Sequence, residues 1–126
     1  MIQKAVPHIP SGGSIINLGS AATKANGAAT APIYSASKFA ATAWAIVLAK
    51  ELGAKGIRIN TIAPGFTNTD MLPEAAKEIA KKSSVFGRLG EAEDIANIVS
   101  YLADSKKSGW VTGQHLDASG GGILQF

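Results

Sequence analysis

Cysteine is absent from the 126 residues, which excludes disulfides, thiol nucleophiles and cysteine-ligated metal. Aromatic residues are scarce, at 6%, so a core must come from small aliphatic side chains, and the wealth of alanine and glycine suits helices lying close on a sheet. Histidine occurs only at His8 and His115, and neither has a cluster of carboxylates beside it in sequence, so a metal site is not expected. No apolar run approaches the ~20 residues of a membrane-spanning helix. The start lacks the charged-then-apolar layout of a signal peptide, and a soluble, cytoplasmic protein is expected. Excess charge is also small. Twelve basic residues against nine acidic ones leave +3, with the lysines scattered except at Lys81-Lys82 and Lys106-Lys107. Aromatics do not interleave with these lysines, so a solvated surface is expected and a nucleic-acid patch is not.

What is present is enough for one compact domain over residues 1–126, with 46% hydrophobic residues against 17% charged ones. "SIINL" (Ser14 to Leu18), flanked by glycines, reads as a buried strand. Residues 19–32 are small and polar without periodicity, which predicts a loop. Good helix formers then run from about 34 to 52 and stop at Gly53. "IRINTIAP" predicts a second strand ending in the turn Pro64-Gly65. Residues 73–82 suggest a short helix. "GEAEDIANIVSYLA" suggests a better one, with acids in its first turn and Ile95, Ile98, Val99 and Leu102 at helical spacing. "VTGQHLDASGG" predicts a third strand with a glycine-rich tail. Trp44 is expected to serve packing or a subunit contact, and Trp110 to bury against the second helix.

Strand, helix, strand, helix, strand is the order of right-handed crossovers in a parallel sheet. Ligands bind such sheets outside the carboxyl ends of the strands, which puts "GSAAT", "PGFTNT" and "ASGGG" on one edge. Ser20 then lies near the N-terminus of the helix that carries Tyr34 and Lys38. Four residues make about one helical turn, so those two side chains point the same way. A phenol ordinarily titrates near 10, making it a poor acid or base at neutral pH unless its anion is stabilised. A neighbouring ammonium does that by Coulomb attraction, and a nicotinamide cation adds to it. Ser20 can hydrogen-bond the carbonyl or alcohol oxygen that trades a proton with Tyr34. Taken alone, tyrosine and lysine at this spacing are more often ordinary helix surface.

Context changes that balance. "GGSIINLGS", "YSASK", "RINTIAPGFTNTDM", "GRLGEAEDIANIVSYLA" and "WVTGQHLDASGG" resemble, in order and with near-matching spacing, the C-terminal half of the short-chain dehydrogenases/reductases, the interval from Ser20 to Tyr34 being one residue longer than expected. The likeness runs over essentially the whole chain. It implies an α/β fold, the C-terminal half of a Rossmann-like doubly wound parallel sheet of three strands with crossover helices. By the same resemblance Tyr34 is the catalytic acid/base, Lys38 lowers its pKa and holds the nicotinamide ribose, and Ser20 orients the substrate oxygen. Pro64 and Gly65 match the turn beneath the nicotinamide, Thr67 the position whose backbone meets the carboxamide, and Thr69 a threonine contacting the cofactor amide or pyrophosphate. Asn60 matches a structural asparagine. Met71, Leu72, Val85 and Phe86 are expected to line an apolar substrate pocket.

The family's glycine-rich phosphate turn, its ribose-selecting residue and its catalytic asparagine have no match in these residues. "SGG" at 11–13 precedes a strand, "SGGG" at 119–122 precedes no helix, and Asn17 and Asn26 occupy other places. Met1 falls where the middle of the preceding helix is expected. The implied activity is interconversion of a small-molecule alcohol and carbonyl with NAD or NADP, a choice left open. Weak cofactor binding by the chain alone is expected. The alternatives are a truncated non-redox relative that binds a metabolite or enolises it, and an assembly module. A homo-oligomer or pairing with a complementary half is expected, with no nucleic-acid or membrane partner.

Overall fold

The structure, a computed structural model, describes residues 2–24 and 31–123. Its centre is a parallel sheet of three strands, β1 (Ser14–Leu18), β2 (Arg58–Pro64) and β3 (His115–Ala118), in the order β1-β2-β3. Ser14 to Leu18 pair in step with Arg58 to Ile62, and Thr61 to Pro64 with His115 to Ala118. The β-branched runs that predict the strands are the residues that form them.

Five helices accompany the strands among the described residues: α1 (Ile2–Ala5), α2 (Pro32–Gly53), α3 (Glu74–Lys81), α4 (Ala92–Ala103) and α5 (Ser105–Ser108). A 3-10 turn over Val6–His8 follows α1, and another over Ala21–Thr23 follows β1 within the expected loop. The rest of that loop, with Asn26, lies outside the described residues. Helix α2 begins at Pro32, two residues before the expected start. Proline is at home in a first turn, where its missing N–H has no intrahelical partner to lose. Helix α4 opens with a reciprocal capping box, in which the Glu91 side chain accepts from the Asp94 amide and the Asp94 side chain from the Glu91 amide. The short α5 was not anticipated. Asp104 starts it by accepting from the Lys106 amide at 2.8 Å, and a four-residue helix has too little periodicity to read from sequence.

Alternation along β2 sends its side chains to two different helices. Ile59 joins Ala45, Ala49 and Leu52 of α2 in the core, while Arg58 reaches the carboxyl end of α4 on the other face. Each large aliphatic side chain so enclosed, such as Leu52 or Ile59, contributes about 1.5–3 kcal/mol. Close approach of α2 depends on its alanines. Arg58 is only 7% exposed, and its guanidinium donates to the Leu102 carbonyl at 3.0 Å and to Ser108 Oγ at 3.0 Å. The free carbonyls at the end of α4 thus offset a buried cation. Asn60 is structural, as expected: its Nδ2 donates to the Val111 carbonyl at 2.9 Å and its Oδ1 accepts from the Gln114 amide at 3.0 Å.

Two expectations need correction. "SIINL" is half-buried, with Leu18 52% exposed, because β1 is an edge strand paired only with β2 among the described residues. Trp110 is 100% exposed. Arg58 and Asn60 draw the adjacent Val111 carbonyl inward, and the turn carrying Trp110 projects into solvent.

Candidate active site

The carboxyl ends of β1 and β2, the first turns of α2 and the loop after β2 enclose a cleft of about 790 Å³. That is the size of a typical small-molecule site. Ser20, Tyr34, Lys38, Pro64, Gly65, Thr67, Thr69, Met71 and Leu72 all line it. Val85 and Phe86 do not: Phe86 lines a separate cavity of about 240 Å³ behind the loop, and Val85 sits beside Gly121.

Tyr34 and Lys38 stand one turn apart on α2. Lys38 Nζ lies 5.7 Å from the centre of the Tyr34 ring and donates to the Leu18 carbonyl at 2.9 Å. A carbonyl at the end of β1 therefore anchors the ammonium, and an ammonium has two further donors to offer. Tyr34 is 38% exposed, open to the cleft. Ser20, two residues beyond β1, is extended and caps the 3-10 turn, its Oγ accepting from the Ala22 amide at 3.2 Å. That bond leaves the hydroxyl proton available to a ligand. The Thr23 hydroxyl in turn holds the Ser20 carbonyl at 2.7 Å, fixing the turn that presents the serine.

Gly65 forms part of the floor. A Cβ at this position would lie 2.7 Å from Ser119 Cα and 2.8 Å from Ser119 Cβ, so only glycine fits over β3's continuation. Ser119, within the "ASGGG" segment expected on this edge but not singled out, lines the same cleft and is fixed by Asp117, whose Oδ1 accepts from its amide at 2.8 Å and from its hydroxyl. Phe66, part of a segment expected on this edge but not singled out, and Ile95, not expected there, also line the cleft. Their signal in sequence was weak, since one follows the Pro-Gly turn and the other reads as the apolar face of α4. Thr67 turns its hydroxyl back to the Gly65 carbonyl at 3.1 Å, bracing the turn. Beyond it, Gly120 and Gly121 both take positive φ, +63° and +73°, a pair that other residues adopt only with strain. They bring the chain under residues 84–85, where the Val85 amide donates to the Gly120 carbonyl at 3.0 Å.

His115 and Asp94, elsewhere in the chain, have shifted titrations. Burial, with Lys24 assisting and Asp117 opposing, holds His115 below its ordinary 6.5. Hydrogen bonds from Arg88, then from the Glu91 amide, bring Asp94 down to about 2. His8, Glu93 and Asp94 do not line the cleft that holds Tyr34 and Lys38, Asp94 lining the smaller cavity instead, and among the described residues no group of three or more His, Cys, Asp or Glu is placed to hold a metal. No described helix is long and apolar enough to cross a membrane.

These features define a Rossmann-like α/β sheet with a tyrosine–lysine–serine cleft at its carboxyl edge. Residues 1–122 match a family model described as enoyl-(acyl carrier protein) reductase. The dehydrogenase OXI1 of Cochliobolus heterostrophus is 41% identical over 98% of this chain and 56% of its own length. The 3-oxoacyl-(acyl-carrier-protein) reductase FabG of Pseudomonas aeruginosa is 42% identical over 86% of this chain and 44% of its own. The angucycline C-6 ketoreductase LanV with bound NADP superposes with a TM-score of 0.89 at 34% identity, covering 98% of this chain and 49% of that one. The chain belongs to the short-chain dehydrogenase/reductase family. It spans about half the length of the curated relatives it matches.

Proposed function

We propose that the chain provides the proton-transfer and nicotinamide side of an NAD(P)-dependent oxidoreductase that interconverts an alcohol and a carbonyl. The observation that carries this reading is the single cleft in which Tyr34, Lys38 and Ser20 meet the Pro64–Gly65 turn. The donor set suits a nicotinamide riboside. Lys38, anchored by the Leu18 carbonyl, keeps donors for ribose hydroxyls; Gly65 gives a floor without side-chain bulk beside the rigid ring of Pro64; Thr67 and Thr69 supply polar groups beside it.

When bound, the cofactor supplies or accepts the hydride. Ser20 donates a hydrogen bond from its hydroxyl to the substrate oxygen, keeping its proton, and holds that oxygen toward Tyr34. Tyr34 gives that oxygen a proton in reduction and takes it back in oxidation, with the Lys38 ammonium offsetting the negative charge left on the phenol. Met71 and Leu72, on the loop over the cleft, exclude water from the reacting centre and contact the apolar part of the substrate.

The 126 residues hold no glycine-rich turn leading into a helix, so pyrophosphate binding calls for a complementary half. Similarity to a 3-oxoacyl-(acyl-carrier-protein) reductase and an angucycline C-6 ketoreductase makes 3-oxoacyl thioesters and angucycline ketones the first substrates to try. The test is oxidation of NADH and of NADPH, each with both substrate classes, by the chain alone and joined to a glycine-rich half. Carbonyl-dependent oxidation of either cofactor supports the reading. Cofactor binding without oxidation across the panel refutes it and favours a non-redox role for the same cleft.

A further inference from the structure

Residues 68–89 leave the sheet edge and come back to it at almost the same point. Thr67 and Gly90 form an isolated parallel bridge, in which the Phe66 carbonyl accepts from the Gly90 amide at 3.0 Å and the Gly90 carbonyl from the Asn68 amide at 2.8 Å. The loop closed by this neck brings Thr69, Met71, Leu72 and Ser83 to the main cleft. Its return limb is poorly packed. The cavity of about 240 Å³ lies behind it, and Val85 and Phe86 are exposed.

Polar ties hold the limb instead. One is the Gly120 carbonyl, which accepts from the Val85 amide at 3.0 Å and from Ser84 Oγ at 3.0 Å. The other is a two-point grip by Arg88, whose Nη1 donates to Asp94 Oδ2 at 2.6 Å and Nη2 to Asp94 Oδ1 at 3.1 Å. The same guanidinium donates to the Leu89 carbonyl at 2.9 Å, next to the neck. Asp94 is meanwhile the capping residue of α4, accepting from the Glu91 amide at 2.8 Å. One carboxylate thus joins the loop's return limb to the first turn of a helix seated on the sheet. The residue after it, Ile95, lines the cleft.

We propose that Arg88 is a positioning residue: its grip on Asp94 sets where the 68–89 loop sits over the cleft, and through that how tightly substrate is held. The pair is solvent-exposed, so its contribution to global stability is small. Its geometry, planar and bidentate, nevertheless fixes orientation in a way a single contact does not. With packing loose behind the limb, orientation is what the loop lacks.

The kinetic consequence rests on the oxidoreductase reading; the structural one does not, and the test separates them. Arg88→Gln releases the grip while leaving Asp94 free to cap α4, and Arg88→Lys keeps the charge without the fork. Hydrogen exchange on the full chain reads the loop directly. In Arg88→Gln, amides of residues 69–86 should exchange about two- to fivefold faster, as the loss of a pair of this kind implies, with β2 amides unchanged and Arg88→Lys between the two. Wherever carbonyl turnover is measurable, KM for the carbonyl should rise by about the same factor with kcat within about twofold. Unchanged loop exchange in Arg88→Gln overturns the proposal, and so does equal acceleration in β2, which would mean a merely global role. Should no carbonyl be turned over by the unsubstituted protein, the oxidoreductase reading fails, while a faster loop with an unmoved β2 still supports the grip.

Discussion

Replacing Gly65 by alanine tests the floor of the cleft with one methyl group. The new carbon would stand 2.7 Å and 2.8 Å from Ser119 Cα and Cβ, and 3.2 Å from the Ser119 carbonyl oxygen. Carbon atoms in contact prefer about 3.5–4.0 Å, so relief needs a shift of roughly 1 Å. Ser119 resists moving, since Asp117 holds both its amide and its hydroxyl. The weaker link is the bond from the Gly65 amide to the Ala118 carbonyl, already long at 3.2 Å. Overpacking costs about 1–3 kcal/mol and a lost backbone hydrogen bond about 1 kcal/mol, for a total of about 2–4 kcal/mol. That corresponds to roughly 30- to 700-fold in the folding equilibrium. Gly53→Ala is the control, because nothing lies within 4 Å of the added carbon at the end of α2. It should be neutral or stabilising by up to about 1 kcal/mol. Urea unfolding of both variants measures the difference as a shift in midpoint at constant slope. Equal midpoints for Gly65→Ala and Gly53→Ala would refute the close approach of the Pro64–Gly65 turn to β3.

Acid should weaken the fold through His115, whose folded pKa lies below its ordinary 6.5. The unfolded chain binds the proton more readily, so stability is fully present above pH 6.5 and declines as pH falls through the folded value. Urea midpoints at pH 7.5, 6.5 and 5.5 should fall more steeply for the natural chain than for His115→Gln, and parallel profiles would contradict this. Self-association is expected of the chain alone, because β1 has an open edge among the described residues and α2 exposes Phe39, Trp44 and Val47. Light scattering should find dimers or larger species, and calorimetric titration with NAD(P)H should find binding weaker than micromolar. A monodisperse monomer with micromolar affinity would contradict both.

The strands were legible because their β-branched runs are bounded by glycine and proline, and α4 because Ile95, Ile98, Val99 and Leu102 recur at helical spacing. The meeting of Tyr34 and Lys38 was legible for the same kind of reason, as neighbours one turn apart. What anchors Lys38 was not. Its partner is a main-chain carbonyl twenty residues earlier, and every residue has such a carbonyl. Arg58 reads as a surface charge until α4 is seen ending beside it. Trp110 reads as core by type, yet its place follows from two polar side chains that hold the next carbonyl. The apolar residues of the loop divide in the same way: Met71 and Leu72 reach the cleft, while Val85 and Phe86 miss it on a limb tied to the Gly120 carbonyl, a main-chain partner that sequence does not reveal.

The central claim, proton transfer by Tyr34, is tested most directly by Tyr34→Phe, measured beside the natural residue in the assembly that oxidises NAD(P)H with a carbonyl. Phenylalanine keeps the ring beside which Lys38 lies and removes only the hydroxyl. Turnover should fall by about 100- to 10,000-fold, the range of general acid–base catalysis, with cofactor binding retained and an unchanged circular dichroism spectrum. Full turnover by Tyr34→Phe with the same carbonyl would contradict the account.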